Sequence, residues 1–122
     1  MANCPCGLGE PYDDCCGRFH RGAEPPSAEL LMRARYTAYA VGDRAFLLRT
    51  WHEKTRPRVL SLEDGQQWLG LTILDRTGGG LFDSEGTIEF KARYTADDRP
   101  GTMHDRSRFT KVDGAWRYVD EV

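Results

Sequence analysis

Four thiols crowded into thirteen residues constrain this chain more than any other feature of it. The stretch Cys4-Pro5-Cys6-Gly7-Leu8-Gly9-Glu10-Pro11-Tyr12-Asp13-Asp14-Cys15-Cys16-Gly17 holds every cysteine of the protein. Proline and glycine between them rule out a helix or strand that merely carries cysteine. Tetrahedral zinc takes four thiolates at about 2.3 Å, and short loops closed by glycine let a backbone wrap one ion. Cys4, Cys6, Cys15 and Cys16 are therefore candidate metal ligands, with zinc the default metal and iron the alternative. The competing reading is a pair of disulfides; of the three pairings, Cys4 with Cys6 and Cys15 with Cys16 would close two strained small rings. The opening Met-Ala-Asn-Cys has neither a charged n-region nor an apolar h-region, so the expectation is a cytoplasmic chain with reduced thiols.

The pattern Cys-Pro-Cys-Gly-x-Gly-x-x-Tyr-x-x-Cys-Cys-Gly resembles the SEC-C motif, the metal-binding knuckle at the C-terminal end of the SecA translocation ATPase and in many small bacterial proteins. The resemblance implies zinc held at the positions of Cys4, Cys6, Cys15 and Cys16. Leu8 and Glu10 stand where the motif usually has Ser and Lys, which leaves the thiolates in place but removes a cation from the loop.

At 122 residues the chain suits one compact domain plus a small appendage. A hydrophobic share of 39%, with three Trp, five Tyr and five Phe, is enough for a core, and a charged share of 30% fits a soluble surface. The longest strongly apolar run, Ala45 to Leu48, is far too short to span a membrane. A formal charge of -2 argues against a dedicated DNA or RNA binder. The local cluster Arg18-Phe19-His20-Arg21 is the exception, read either as a solvated linker face or as the contact edge of a docking knuckle.

Gly22-Ala23-Glu24-Pro25-Pro26 reads as a linker, dividing a knuckle at 1–22 from a domain at 27–122. Ser27 as N-cap, Glu29 in the first turn and Gly42 as stop predict a helix over 28–41. Leu30, Leu31, Ala34, Ala38 and Val41 form its apolar stripe, widened by Met32, Tyr36 and Tyr39, and Arg33 and Thr37 are left as the wet side. Asp43 caps a second, short helix through Leu48. A loop through Asp64-Gly65 precedes a strand over 68–74, and Gly78 to Gly80 make a flexible turn. Residues 87–95 alternate as a half-buried antiparallel strand. Asp113-Gly114 is a two-residue hairpin signal.

Taking Asp113-Gly114 as the hairpin loop sets Val112 opposite Ala115, Lys111 opposite Trp116, Phe109 opposite Tyr118, Ser107 opposite Asp120 and Arg106 opposite Glu121, the last an expected surface ion pair. A four-residue loop at 97–100 then puts Tyr94, Phe90 and Ile88 on one face with Met103, Ser107 and Phe109, and sends His104 outward beside Arg93. Asp105 and Asp120 fall on the apolar face, which requires partners or a cavity. The expected pocket is lined by Tyr94, Asp105, Ser107, Trp116, Tyr118 and Asp120.

A long helix, a shorter helical segment and a curved antiparallel sheet make an α+β cone, which looks like the nuclear-transport-factor-2-like fold with a small N-terminal metal knuckle. The chain as a whole resembles the YchJ-like family of bacterial proteins, on Cys-Cys-Gly-Arg-Phe-His at 15–20, Leu-Met-Arg-Ala-Arg-Tyr-Thr-Ala-Tyr at 31–39, Thr-Trp-His at 50–52, Thr-Arg-Pro at 55–57 and Trp-Arg-Tyr-Val-Asp at 116–120. Asp105 stands where that family more often has Glu. The resemblance implies a metal-binding accessory protein whose knuckle docks on a larger partner, the ribosome or secretion machinery, and whose cone holds a small ligand; the fold also often forms homodimers. The alternative is a lyase or isomerase, with Asp105 as base, Tyr36 or Tyr39 as oxyanion donor and His52 as second acid/base. The plainer reading of Asp105 is a pair with Arg35 or Ser107. A third reading has the metal only stapling the N-terminus onto the cone, so that chelation unfolds 1–22 alone.

Overall fold

The structure, a computed structural model, describes residues 3–62 and 66–122. The expected loop at Asp64-Gly65 lies outside them. A 3-10 turn at Tyr12–Asp14 leads into a short helix α1 (Cys16–His20), followed by α2 (Ala28–Val41) and α3 (Arg44–Arg49). Four strands then run as an antiparallel meander in the order β1-β2-β3-β4: β1 (Gln66–Gly78), β2 (Glu85–Ala96), β3 (Arg99–Val112) and β4 (Ala115–Glu121). The helix α2 packs against β1, β2 and β4, filling the concave side of the sheet.

The helix limits follow from local chemistry. The Ser27 hydroxyl accepts the Leu30 amide at 3.2 Å, and Gly42 leaves the helix in the left-handed region at φ 81. The Asp43 carboxylate accepts the Phe46 amide at 3.1 Å and starts α3. Within α2, Leu31, Ala34 and Ala38 are buried as the stripe requires. Thr37, expected on the wet side, is fully buried, and Val41, expected in the stripe, is 53% exposed. The reason is that the N-terminal knuckle covers the polar flank of α2, so the helix is enclosed on two sides.

Gly78 to Gly80 are no free turn. A Cβ on Gly79 would lie 2.8 Å from the Ala28 Cβ, and one on Gly86 would lie 2.6 Å from the Gly79 backbone. That close approach lets the Gly79 carbonyl accept the Ala28 amide at 2.9 Å, clasping the β1–β2 turn to the start of α2.

Both remaining hairpins close on two residues with positive φ, Asp97-Asp98 and Asp113-Gly114, the geometry that matches the right-handed twist of the flanking strands. At the first of them the loop is therefore two residues shorter than the expected 97–100: Ala96 pairs with Arg99, and the register moves by two. A shift of two preserves which face each side chain occupies. Phe90 thus sits opposite Asp105, Ile88 opposite Ser107 and His104 opposite Lys91 rather than Arg93. His104 still points outward, bonded to Glu89 at 2.7 Å.

Between β3 and β4 the pairing matches expectation from Val112–Ala115 to Phe109–Tyr118, then slips at a bulge. Beyond it Arg108 faces Asp120 and Ser107 faces Glu121. One extra residue exchanges the two faces, so Glu121 takes the inner position expected for Asp120. The expected Arg106–Glu121 ion pair does not form; Arg106 binds Asp75 at 2.7 Å and Glu89 at 2.9 Å on the outer face.

Candidate metal centre and cone cavity

The knuckle is built by backbone hydrogen bonds that fold the chain onto itself. The Cys4 amide donates to Glu10 O at 2.7 Å and the Gly7 amide to Cys4 O at 3.2 Å, with Gly7 and Gly9 at φ 87 and 91. Gly17 completes the wrap because a Cβ there would meet Tyr12 O at 2.7 Å. The result brings the sulfurs of Cys4, Cys6, Cys15 and Cys16 within 4.8 Å of one another, all four residues buried and unbridged by disulfides. A zinc ion at about 2.3 Å from four thiolates sets its sulfurs about 3.8 Å apart, and the Cys6–Cys15 separation is 3.5 Å. The donor set fits one metal ion.

The thiols are strongly differentiated. A hydrogen bond from Cys16 pulls Cys6 down to about 5. Burial pushes Cys15 up to about 12, and giving that hydrogen bond to Cys6 raises Cys16. Outside the sulfurs, Thr37 of α2 lies 3.6 Å from Cys4 Sγ, and the Arg33 guanidinium donates to Cys6 O at 2.8 Å while also holding Glu29.

A histidine fastens the knuckle. His20 Nε2 must donate to Ala34 O at 2.9 Å, since a carbonyl only accepts, so in the neutral ring Nδ1 accepts the Tyr12 hydroxyl at 2.6 Å. The Arg18-Phe19-His20-Arg21 cluster is therefore neither a linker face nor a continuous contact edge. Phe19 is buried and its carbonyl is held by Arg49 at 3.2 Å; the His20 side chain is 4% exposed. Only Arg18 and Arg21 face solvent, and Arg21 pairs with Asp13.

On the far side of α2 the cone encloses a cavity of about 660 Å³, within the range of metabolite-sized sites. Of the residues expected there, Tyr94, Asp105, Ser107 and Tyr118 line it, as do Tyr36 and Tyr39. Trp116 does not: it is buried elsewhere in the core, its ring 5.3 Å from the Lys111 ammonium. The bulge sends Asp120 to the outer face, where Arg108 grips it with two bonds of 2.6 Å. His52 faces a separate cleft with Lys54 and Thr55, and its Nδ1 accepts the Lys54 amide. It is thus removed from the cone's chemistry.

Asp105 is bonded to neither Arg35 nor Ser107. Ser107 donates instead to Glu121 at 3.0 Å, as does Tyr118 at 2.9 Å. Partial withdrawal from water, and then the charge of Asp105, lift Glu121 above the usual carboxylate range. Arg35 is 4% exposed; its Nη1 donates to Leu47 O and Thr50 Oγ1, both at 2.8 Å, and its guanidinium lies 4.4 Å from the centre of the Tyr118 ring and 4.9 Å from that of Trp51. Burial lowers it to about 10. Sequence reasoning missed Glu121, because nothing in Tyr118-Val119-Asp120 announces a bulge. It also missed Trp68, the aromatic hub of the cavity, with ring centres 5.5 Å from Tyr94, 5.8 Å from Tyr36 and 6.2 Å from Tyr39.

A curved antiparallel sheet wrapped on a long helix, preceded by a four-cysteine knuckle, defines a nuclear-transport-factor-2-like domain of the kind found in SEC-C proteins. The comparisons agree: the family model "YchJ, middle NTF2-like domain" matches residues 27–121. A UPF0225 protein of Streptomyces coelicolor is 54% identical over 96% of this chain and 92% of its own, and one of Corynebacterium glutamicum is 50% identical over 94% and 92%. The solution structure of a SEC-C motif containing protein from Rhodopseudomonas palustris superposes with a TM-score of 0.82 at 34% identity, over 99% of this chain and 98% of that one. The crystal structure of a SEC-C motif containing protein from Psychrobacter arcticus shares the fold at 24% identity and TM-score 0.77, over 96% and 80%. The chain belongs to the YchJ-like UPF0225 family. Among the described residues no helix is long and apolar enough to cross a membrane.

Proposed function

We propose that this is a zinc-binding accessory protein in which the metal locks the knuckle onto α2 and the cone receives a small ligand. The observation that carries the reading is the convergence of four buried sulfurs within 4.8 Å. Metal analysis of the purified chain should give about one zinc per molecule, with Cys15→Ser and Cys16→Ser losing it. An intact chain that retains no metal, or retains iron instead, would overturn the zinc assignment. Docking on the ribosome or secretion machinery would have to use what the knuckle leaves exposed, including Leu8, Glu10, Asp13, Asp14, Arg18 and Arg21, the last paired with Asp13. That rim is more acidic than basic, which favours a protein surface over ribosomal RNA.

A second reading, a lyase or isomerase, is favoured by Asp105 and Glu121 standing near each other in the cavity with Tyr36 and Tyr39 on the opposite wall. A carboxylate raised by partial burial, as Glu121 is, suits the general-acid role in such chemistry.

A further inference from the structure

The charges in the cone cavity do not balance. Among the described residues that line it, the ionisable side chains other than tyrosine are Arg35, Asp105 and Glu121. Arg35 spends Nη1 on the C-terminal end of α3, where helix carbonyls carry negative charge, and its flat face lies against Tyr118 and Trp51. Glu121 takes hydroxyls from Tyr118 and Ser107, so that the Tyr118 side chain carries Arg35 at its ring and Glu121 at its hydroxyl. These two charges offset each other through one side chain. Asp105 is left over: among the described residues it receives no hydrogen bond and no ion pair, yet it lines the wall.

The same cavity is lined by Trp68 of β1, whose ring packs with Tyr36 and Tyr39 from α2 and Tyr94 from β2. Aromatic rings present their negative faces to a cation, and a carboxylate beside them adds the directional charge. We propose that the cavity is a site for a small organic cation, a quaternary or protonated amine with an apolar body, whose charge sits between Asp105 and the Trp68 group. A simple metal cation would gain little from such walls, and an anion would meet two carboxylates. The proposal rests on the cone being a ligand site and adds the chemical class of the ligand.

The test is titration of the intact, metal-loaded chain with choline, with its neutral isostere 3,3-dimethylbutan-1-ol, and with benzoate, read by the backbone and indole amide signals in NMR. Choline should move the Trp68 indole signal and bind about tenfold more tightly than the alcohol, a gap of about 1.4 kcal/mol. Asp105→Asn should bring choline down to the affinity of the alcohol and leave the alcohol unchanged. Equal binding of choline and the alcohol would overturn the cation class while keeping the cone as a ligand site; so would tighter binding of benzoate, which would make Arg35 the anchor. No binding of any probe at millimolar concentration would remove both readings. If Asp105→Asn weakened choline and alcohol alike, the carboxylate would be shaping the cavity and not reading charge, which also overturns the proposal.

Discussion

Arg35 is the residue that most repays attention to its surroundings. It is a buried cation with no carboxylate within ion-pair distance among the described residues, and a carbonyl, a hydroxyl and two ring faces stand in for one. Losing such charged hydrogen bonds together with the packing of a long side chain should cost on the order of 3 kcal/mol, so Arg35→Ala should lower the urea midpoint at unchanged slope. Arg35→Lys should recover little, because an ammonium cannot reproduce the flat contact of the guanidinium with the Tyr118 and Trp51 rings. A lysine variant as stable as the parent would show that charge alone is what the site needs. The sequence placed Arg35 on the correct helix, but a helical pattern carries no sign that a cation will be enclosed by a helix end 12 residues on and by a strand from the far end of the chain.

At the scale of elements, what was legible was local. Ser27, Gly42 and Asp43 state the limits of two helices in side-chain hydrogen bonds and backbone angles, and Asp113-Gly114 states a hairpin. Face alternation on β2 and β3 also survived, because the error at Asp97-Asp98 was an even number of residues. The bulge after Phe109–Tyr118 was not legible: it lies where the β4 edge meets the segment after α3, with the Tyr118 amide donating to Thr50 O at 2.8 Å and the His52 amide to Tyr118 O at 2.7 Å. That parallel contact spans most of the chain length and leaves no trace in the local sequence. The clasp at Gly79 and Gly86 is of the same kind. Since a methyl on Gly86 would strike backbone, which cannot swing aside, Gly86→Ala should destabilise by about 2–3 kcal/mol, visible as a drop in melting temperature. An Ala variant with the parent's melting temperature would mean that the clasp opens without penalty.

At the scale of the molecule, the division into a knuckle and a cone is less sharp than the Pro25-Pro26 linker suggests. Thr37, Arg33 and the Ala34 carbonyl, all on α2, hold Cys4, the Cys6 carbonyl and His20. The third expectation, that chelation frays residues 1–22 and spares the rest, therefore has to be revised, because releasing the knuckle would strip cover from a helix whose other flank is the core. Removing the metal should lower the melting temperature of the whole domain in one transition, with amide exchange rising in α2 as well as in residues 3–22, in keeping with the large share of folding energy that structural zinc supplies. Calorimetry with and without chelator checks this. Two separate transitions, the upper one unmoved, would restore the picture of an independent appendage.

The burial of Thr37 carries a consequence for how the chain matures. One flank of α2 touches the cysteine sulfurs and another carries Tyr36 and Tyr39 into the cavity, so a single helix, about 10 Å across, is the common wall of two compartments with different contents. If the first compartment holds the proposed metal, its filling sets how firmly the second is shaped. On the proposed reading, a chain starved of metal would be synthesised with its cavity present in outline but its back wall loose, and capture of the proposed ligand would become a report on metal supply.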